Sequence, residues 1–210
     1  MEKATTLKTL VRVVCRSLSP MLQDATEQYN SLVDPEQIQR HNEVLRRMPR
    51  RQRAETKLYR GQNGELGFPF EMLNAALAQI MDELKNKGIP PAILHMPYRE
   101  FIPFDPEALH PDQDHPTDPK KNIRQGWLPD VRMARGKPIT RAKFPTWGFT
   151  AFCYIESISA SSIEAVRQLF SRAGVACGLG AYRPPNGPFG AFTVVDISVE
   201  PNDAKPNPDH

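Results

Sequence analysis

The sequence predicts an α+β fold, and three observations carry that prediction. Residues 146–199 show the pattern of a strand, a helix, a glycine-punctuated loop and a second strand. Apolar residues at 3- and 4-residue spacing over residues 71–87 predict a helix that Gly88 ends. Residues 6–18 are rich in β-favourable and apolar side chains and predict a first strand, which Pro20 ends.

The middle of the chain adds shorter elements. Asp34-Pro35-Glu36 is typical of a helix start and predicts a helix to about residue 47. Residues 57–66 are predicted to form a short hairpin around a Gly-Gln-Asn-Gly turn. Residues 89–104 contain four prolines, which allow a short strand or an edge strand. Residues 131–144 predict a basic strand or a long hairpin arm.

The closing unit can be divided further. Apolar alternation predicts a strand over residues 147–158, after which Ser161 and Ser162 are candidate helix caps. Gly174 is expected to end this helix, and residues 191–199 are predicted to form the last strand.

Without its insertions the chain has the order β-α-β-β-α-β, which is the ferredoxin-like (RRM-like) arrangement. We predict one domain over residues 1–200, with a helical arginine-rich insertion at about 24–57 and a long proline-rich loop at 105–126. Residues 201–210 are expected to be a disordered tail. Such a sheet carries two helices on one face and leaves the other face available for binding.

Charge is distributed unevenly along the chain, although the net charge is only +3. Residues 40–60 hold eight basic residues against two acidic ones, and residues 120–143 hold eight against one. The acidic excess lies in the proline-rich loop and in the tail. This segregation indicates a positively charged face.

The first basic segment is an arginine run in the predicted insertion. Its candidate binding residues are Arg46, Arg47, Arg50, Arg51 and Arg53. Guanidinium groups bind phosphate through charge-assisted and often bidentate hydrogen bonds. The alternative is a solvated helix face. Because so many cations with few acids repel one another, a polyanion is the natural partner.

The second basic segment is the predicted basic strand. Its candidate binding residues are Arg132, Arg135, Lys137, Arg141 and Lys143. Strand alternation places the last four of them on one side of an extended chain. Trp127, Phe144 and Trp147 flank this segment and are candidates for stacking on bases, although core packing is the expected role of Trp147.

The loop between the last helix and the last strand is rich in glycine. Its candidate glycines are Gly178, Gly180, Gly187 and Gly190. The spacing matches neither a Walker A loop nor a dinucleotide-binding fingerprint. Two interpretations stay open: a tight helix-to-strand loop with packing glycines, or a cradle for a phosphate backbone assisted by Tyr182 and Arg183.

A glycine-rich loop at this place, with the pattern Gly178-x-Gly180 followed by Phe189-Gly190-x-Phe192, resembles the C-terminal signature of the RAMP superfamily (Cas5/Cas6/Cas7-like CRISPR proteins). The chain is also similar to a set of uncharacterised phage proteins with this ending and with Ser-Pro-Met-Leu near the start. The resemblance implies RNA or single-stranded DNA in a basic groove, held by subunits that associate side by side. The sequence lacks a clear catalytic histidine, so cleavage is not carried over from the family's ribonucleases.

Other chemistries have weak signals. Three cysteines without CxxC spacing favour buried free thiols over disulfides or a zinc site. His110 and His115 share the acidic loop with Asp112 and Asp114, which is a poor metal site. We expect no metal, no cofactor and no catalytic residues. No apolar run is long enough to span a bilayer, so no membrane partner is expected.

The sequence therefore predicts a protein that is not an enzyme and that binds single-stranded DNA or RNA, with self-association. The expected location is the cytoplasm, in a bacterial host cell if the chain is phage-encoded. Two alternatives stay open. One is a RAMP-type endoribonuclease with His41 or His95 as its base. The other is a phage-encoded protein-interaction or inhibitor module.

Overall fold

The computed structural model describes residues 9–25, 35–86, 94–97, 99–108, 126–134, 136–156 and 158–200. These residues form a mixed α+β structure with antiparallel sheets, which confirms the predicted class. The strands are β1 (Thr9–Ser17), β2 (Met21–Gln23), β3 (Gly67–Pro69), β4 (Leu94–His95), β5 (Phe101–Pro103), β6 (Leu128–Ala134), β7 (Lys137–Phe144), β8 (Gly148–Ile155) and β9 (Phe192–Val199). The helices are α1 (Pro35–Arg47), α2 (Arg50–Glu55), α3 (Phe70–Asn86), α4 (Ala160–Ala176) and a 3-10 turn (Pro106–Ala108).

The central sheet has the strand order β4-β8-β1-β9, and each neighbouring pair is antiparallel. Strand alternation sends Val13 and its partner Ala151 to the face that packs against α3 and α4. Phe149 and Phe192 meet edge to face in this core, with ring centroids 5.3 Å apart. The predicted strands at 6–18, 147–158 and 191–199 and the helix at 71–87 are confirmed within the described residues.

A second sheet, with the order β2-β7-β6, continues the central one. β1 leads into β2 and β7 leads into β8, so the paired strands run on past a bend. The sequence did not predict β2. Pro20 predicts the end of the first strand, but in the structure it lies in the bend between β1 and β2. The basic segment forms two strands joined at Gly136, and we call β6 and β7 the hairpin.

The insertion contains α1 as predicted, and a second short helix, α2, that the sequence did not predict. α2 packs on both strands of the hairpin and buries Ala54. The predicted hairpin at 57–66 is confirmed only at its turn: one antiparallel bridge, between Arg60 and Leu66, closes the turn at residues 61–64, and no longer strand pairing follows in this segment. Its residues are mostly polar, so there is no apolar face for a sheet to bury.

Two details of α4 correct the prediction. The N-cap is Ser159, two residues before the expected position, and it forms a reciprocal capping box with Ser162. Gly174 lies inside the helix and does not end it. A Cβ at Gly174 would lie 2.0 Å from the carbonyl oxygen of Phe192, so the glycine lets α4 approach β9 closely.

Most of the predicted proline-rich loop (109–125) and the predicted disordered tail (201–210) lie outside the described residues. Helices in the described ranges fall short of the length and apolar character that a bilayer crossing requires.

Candidate nucleic-acid interface

The hairpin brings the predicted binding segments together. α2, which carries part of the arginine run, packs against both strands of the hairpin. The glycine loop (178–190) bridges to β2 through Leu22 and Ala181 and also contacts the hairpin. Segments far apart in the sequence therefore meet around one pair of strands.

The arginines at the end of α1 and the start of α2 are exposed. They are Arg46, Arg47, Arg50 and Arg51. Within the described residues, none of the four forms an ion pair. The guanidinium of Arg51 lies 4.8 Å from the ring centre of Trp127, a distance at which the cation is attracted to the ring face. Four cations that form no ion pair among the described residues leave their donors free for an anionic ligand.

Arg53 belongs to the same run but has a different environment. Its guanidinium donates hydrogen bonds to the carbonyl oxygens of Arg46 and Met48, both at 3.0 Å. It therefore satisfies carbonyls at the C-terminal end of α1 and joins α1 to α2. This side chain is half-buried and engaged, unlike its four neighbours.

On the hairpin, Arg132 and Lys143 point to the same side as Asp130. Arg132 Nε lies 2.9 Å from Asp130 Oδ1, and Lys143 Nζ lies 3.9 Å from Asp130 Oδ2. The Arg132 guanidinium also lies 4.5 Å from the ring centre of Phe189 in the glycine loop. Both basic side chains remain partly exposed, so they stay accessible to a ligand.

Arg141 lies on the same side of β7 as Lys143, as alternation predicts, but it is buried, with 7% of its surface exposed. Its Nε and Nη2 contact Asp24 Oδ2 at 2.8 and 2.6 Å, and Lys57 Nζ lies 3.0 Å from Asp24 Oδ1. The Tyr182 ring covers the guanidinium, 4.9 Å away. The expectation of an openly exposed Arg141 is therefore corrected.

Two of the predicted basic residues cannot be placed fully. Arg135 lies outside the described residues, as does the side chain of Lys137, whose backbone begins β7. Arg183 is exposed, and its Nη1 donates to the carbonyl oxygen of Gly178 at 3.4 Å.

The glycines of the loop are shaped by close backbone contacts. Gly178, Gly180 and Gly190 have positive φ. Added Cβ atoms would lie 2.5 Å from Leu22 O at Gly180 and 2.2 Å from Tyr182 O at Gly187. These contacts favour the interpretation as a tight packing loop, and the phosphate cradle stays a prediction.

The aromatic residues predicted as stacking partners are buried. Trp127, Phe144 and Trp147 all lie in the core. Tyr182, by contrast, is half-buried, and its hydroxyl donates to the carbonyl oxygen of Met133 at 3.1 Å. Burial confirms the expected core role of Trp147 and corrects the prediction of base stacking for Trp127 and Phe144, because protein already covers their rings.

The hairpin also exposes apolar side chains that the sequence analysis did not single out. Leu128, Val131 and Met133 are all well exposed, Met133 to 64%. By strand alternation Val131 and Met133 share one face of β6, whereas Leu128 lies on the opposite face with Asp130 and Arg132.

Metal ligands do not gather in the described part of the chain. No three His, Cys, Asp or Glu side chains come together there as metal ligands. The side chains of His41 and His95, and the whole of the segment with His110 and His115, lie outside the described residues. The three cysteines are buried free thiols, as predicted. Burial raises the pKa of the Cys153 thiol to about 12, so it is a poor nucleophile.

Comparison with known proteins gives a distant likeness. No family model and no curated protein matches the sequence. A chain of the cryo-EM structure of the Type III-B Cmr-beta bound to cognate target RNA is similar in structure, with a TM-score of 0.44 and 12% sequence identity. The alignment covers 91% of this chain, which spans 60% of the length of that neighbour.

Proposed function

We propose that this protein binds single-stranded nucleic acid, DNA or RNA, without cleaving it, and that the basic residues around the hairpin are the contact surface. The observation that carries the proposal is the group of four exposed arginines at the α1–α2 junction, which form no ion pair within the described residues. Arg132 and Lys143 extend the positive charge along the hairpin.

Electrostatics favours a polyanion at this surface. Each phosphate that an arginine neutralises releases condensed counterions, so binding becomes more favourable as the number of phosphate contacts increases. Exposed cations within a few residues of one another also repel, and a phosphate chain removes that repulsion. Contacts of this kind read the backbone and not the bases, which implies sequence-tolerant binding.

Stacking prepares two of the arginines for binding. The guanidinium carbons of Arg51 and Arg132 lie 4.8 and 4.5 Å from the ring centres of Trp127 and Phe189, over the rings. A guanidinium held by a ring has lost part of its rotamer entropy before the ligand arrives, so less is lost on binding.

The fold proposal follows from the central sheet. Along the chain, the four strands of the central sheet are β1, β4, β8 and β9. Across the sheet their order is β4-β8-β1-β9, so the first strand lies between the third and the fourth. The helices α3 and α4 pack on one face of this sheet. This order supports a ferredoxin-like arrangement in a single domain over residues 1–200. A RAMP-like protein of this kind, phage-encoded and assembling side by side as Cas7-like proteins do, is the finer proposal.

The test is salt-dependent binding of fluorescent single-stranded oligonucleotides, measured by anisotropy. Replacing Arg47 and Arg50 by alanine should lower the slope of log K against log salt by about 1.4, from roughly 0.7 per phosphate contact. The matched control replaces Arg167 and Arg172, two partly exposed arginines on α4, and should leave the slope unchanged.

Two results would contradict the proposal in different ways. Absence of binding at low salt, or affinity that does not change with salt, removes nucleic-acid binding itself. If the Arg47/Arg50 variant has the same salt slope as the wild type, these two arginines do not contact phosphates, and the contact surface lies elsewhere on the protein. Unchanged RNA length after incubation is the expected result for non-catalytic binding, and shortened products would favour the endoribonuclease.

A second candidate function is protein interaction, and the exposed apolar side chains of the hairpin favour it. Val131 and Met133, which alternation places on one face of β6, present an apolar surface that nucleic-acid phosphates do not require. Affinity capture with and without nuclease treatment separates the two functions. A protein partner retained after nuclease treatment, and lost on Val131→Ser with Met133→Ser, supports this candidate.

A further inference from the structure

We propose that Arg141 and Tyr182 form a gated phosphate subsite: the Tyr182 ring moves off the guanidinium, and a phosphate oxygen takes the place beside Arg141 Nη1. This inference rests on the proposed function for the source of the phosphate, a bound nucleic-acid strand. The site itself rests on contacts within the protein.

The first observation is an unused donor in a buried position. Arg141 is more than nine-tenths buried, and Asp24 takes its Nε and Nη2. Among the described residues, Nη1 of Arg141 has no hydrogen-bond partner. Buried donors in proteins are nearly always paired, so an unpaired guanidinium nitrogen marks a place for an acceptor.

The second observation is the charge around that nitrogen. Asp24 contacts both Arg141 and Lys57, so an anion that approaches Arg141 has a second cation close by. Arg132 and Lys143 lie on the same side of the hairpin, where Asp130 is their shared acid. An anionic oxygen is therefore a better acceptor here than a neutral one.

The third observation is the nature of the cover. Tyr182 has a φ of 52°, a left-handed conformation that a bulky side chain rarely adopts. A strained residue of this kind persists where its surroundings hold it and is often part of a functional site. The tight approach of Gly187 to the Tyr182 backbone shows how the loop holds it.

The ring is held shut by a contact at the protein surface. The Tyr182 hydroxyl donates to the carbonyl oxygen of Met133, a residue whose side chain is largely exposed. Breaking this hydrogen bond releases the outer end of the ring, and the ring can then turn away from Arg141 about its own side-chain torsions while the loop keeps the backbone in place. A ligand that contacts Met133 or its neighbours on the hairpin would disturb the same bond.

The first experiment weakens the gate without removing the ring. Tyr182→Phe removes the bond to Met133, and it should tighten oligonucleotide binding about two- to tenfold, because a larger fraction of molecules is open. Tyr154→Phe, a half-buried tyrosine on β8, is the matched control and should bind as the wild type does. In an Arg141→Lys background the gain should vanish, since the extra guanidinium donor is gone.

The second experiment uses inorganic phosphate as the probe, so that the subsite is tested separately from nucleic-acid binding. Tyr182→Ala exposes Arg141 and should bind phosphate in calorimetry at ionic strength matched with chloride, whereas Tyr182→Ala with Arg141→Lys should not. Lysine keeps a cation beside Asp24, and far-UV circular dichroism checks the fold. Where the double variant is unfolded, the Tyr182→Phe comparison decides by itself.

The outcomes separate the two proposals. If the wild type binds oligonucleotides but Tyr182→Phe does not bind more tightly and Tyr182→Ala takes no phosphate, the gated subsite is wrong and the proposed function stands. If no oligonucleotide binds but Tyr182→Ala takes phosphate through Arg141, the subsite stands for free phosphate and the proposed function fails.

Discussion

Asp24 provides the sharpest test of how the hairpin is held in place. Its carboxylate accepts two contacts from Arg141 and lies 3.0 Å from Lys57, and the side chains are 18%, 8% and 11% exposed. Asp24→Asn keeps the shape and removes the charge, so two buried cations lose their carboxylate. Breaking a buried ion pair costs about 3–5 kcal/mol, and the remaining exposure of Asp24 reduces our expectation to about 2–4 kcal/mol.

Urea unfolding followed by circular dichroism measures this loss. With a slope of about 2 kcal/mol per molar, the midpoint should fall by about 1–2 M while the slope itself stays constant. Asp196→Asn is the matched control, because Asp196 faces Arg12 at 3.9 Å and is 60% exposed. An exposed pair of this kind contributes less than about 1 kcal/mol.

The reasoning is refuted if Asp24→Asn and Asp196→Asn lose the same stability. That result would mean that water or another group solvates Arg141 and Lys57 well enough to replace the carboxylate. It would also remove the physical basis for treating Arg141 as a buried, partly satisfied cation.

Two further predictions concern the core. Gly174→Ala should destabilise the protein by about 1–3 kcal/mol in thermal unfolding, because the new Cβ meets the carbonyl oxygen of Phe192. In an unhindered helix, alanine would instead be favoured over glycine by about 1 kcal/mol. A stabilised variant would therefore contradict the close approach of α4 and β9. Burial raises the pKa of Cys15 and Cys153 in the folded protein above the unfolded value of about 8.5. Above a pH of about 8.5 the unfolded state therefore binds fewer protons than the folded state. The free energy of unfolding should fall as pH rises, by up to about 1.4 kcal/mol per pH unit for each thiol. Urea midpoints across this range should fall less steeply in Cys153→Ala, and an unchanged dependence would show that the thiol does not contribute.

The predicted interface was partly accessible to sequence reasoning. Charge segregation located the two basic segments, because charge is a property of the residues themselves, and their role in binding stays a prediction. The burial of Trp127 beneath Arg51 was not accessible, since it depends on where α2 lies.

Local patterns by themselves determined the α+β class, the helices at 35–47 and 70–86 and the strand–helix–strand unit at the end of the chain. Helical and strand periodicities arise from neighbouring residues, so they can be read without knowing the fold. Only the tertiary structure decided which basic residues are free. Arg141 and Lys143 share one face of β7 and have the same periodicity, yet Asp24, 117 residues away from Arg141, and the Tyr182 ring bury Arg141 and leave Lys143 open. Alternation assigns a side chain to a face of a strand, whereas the covering of that face depends on segments that are distant in sequence.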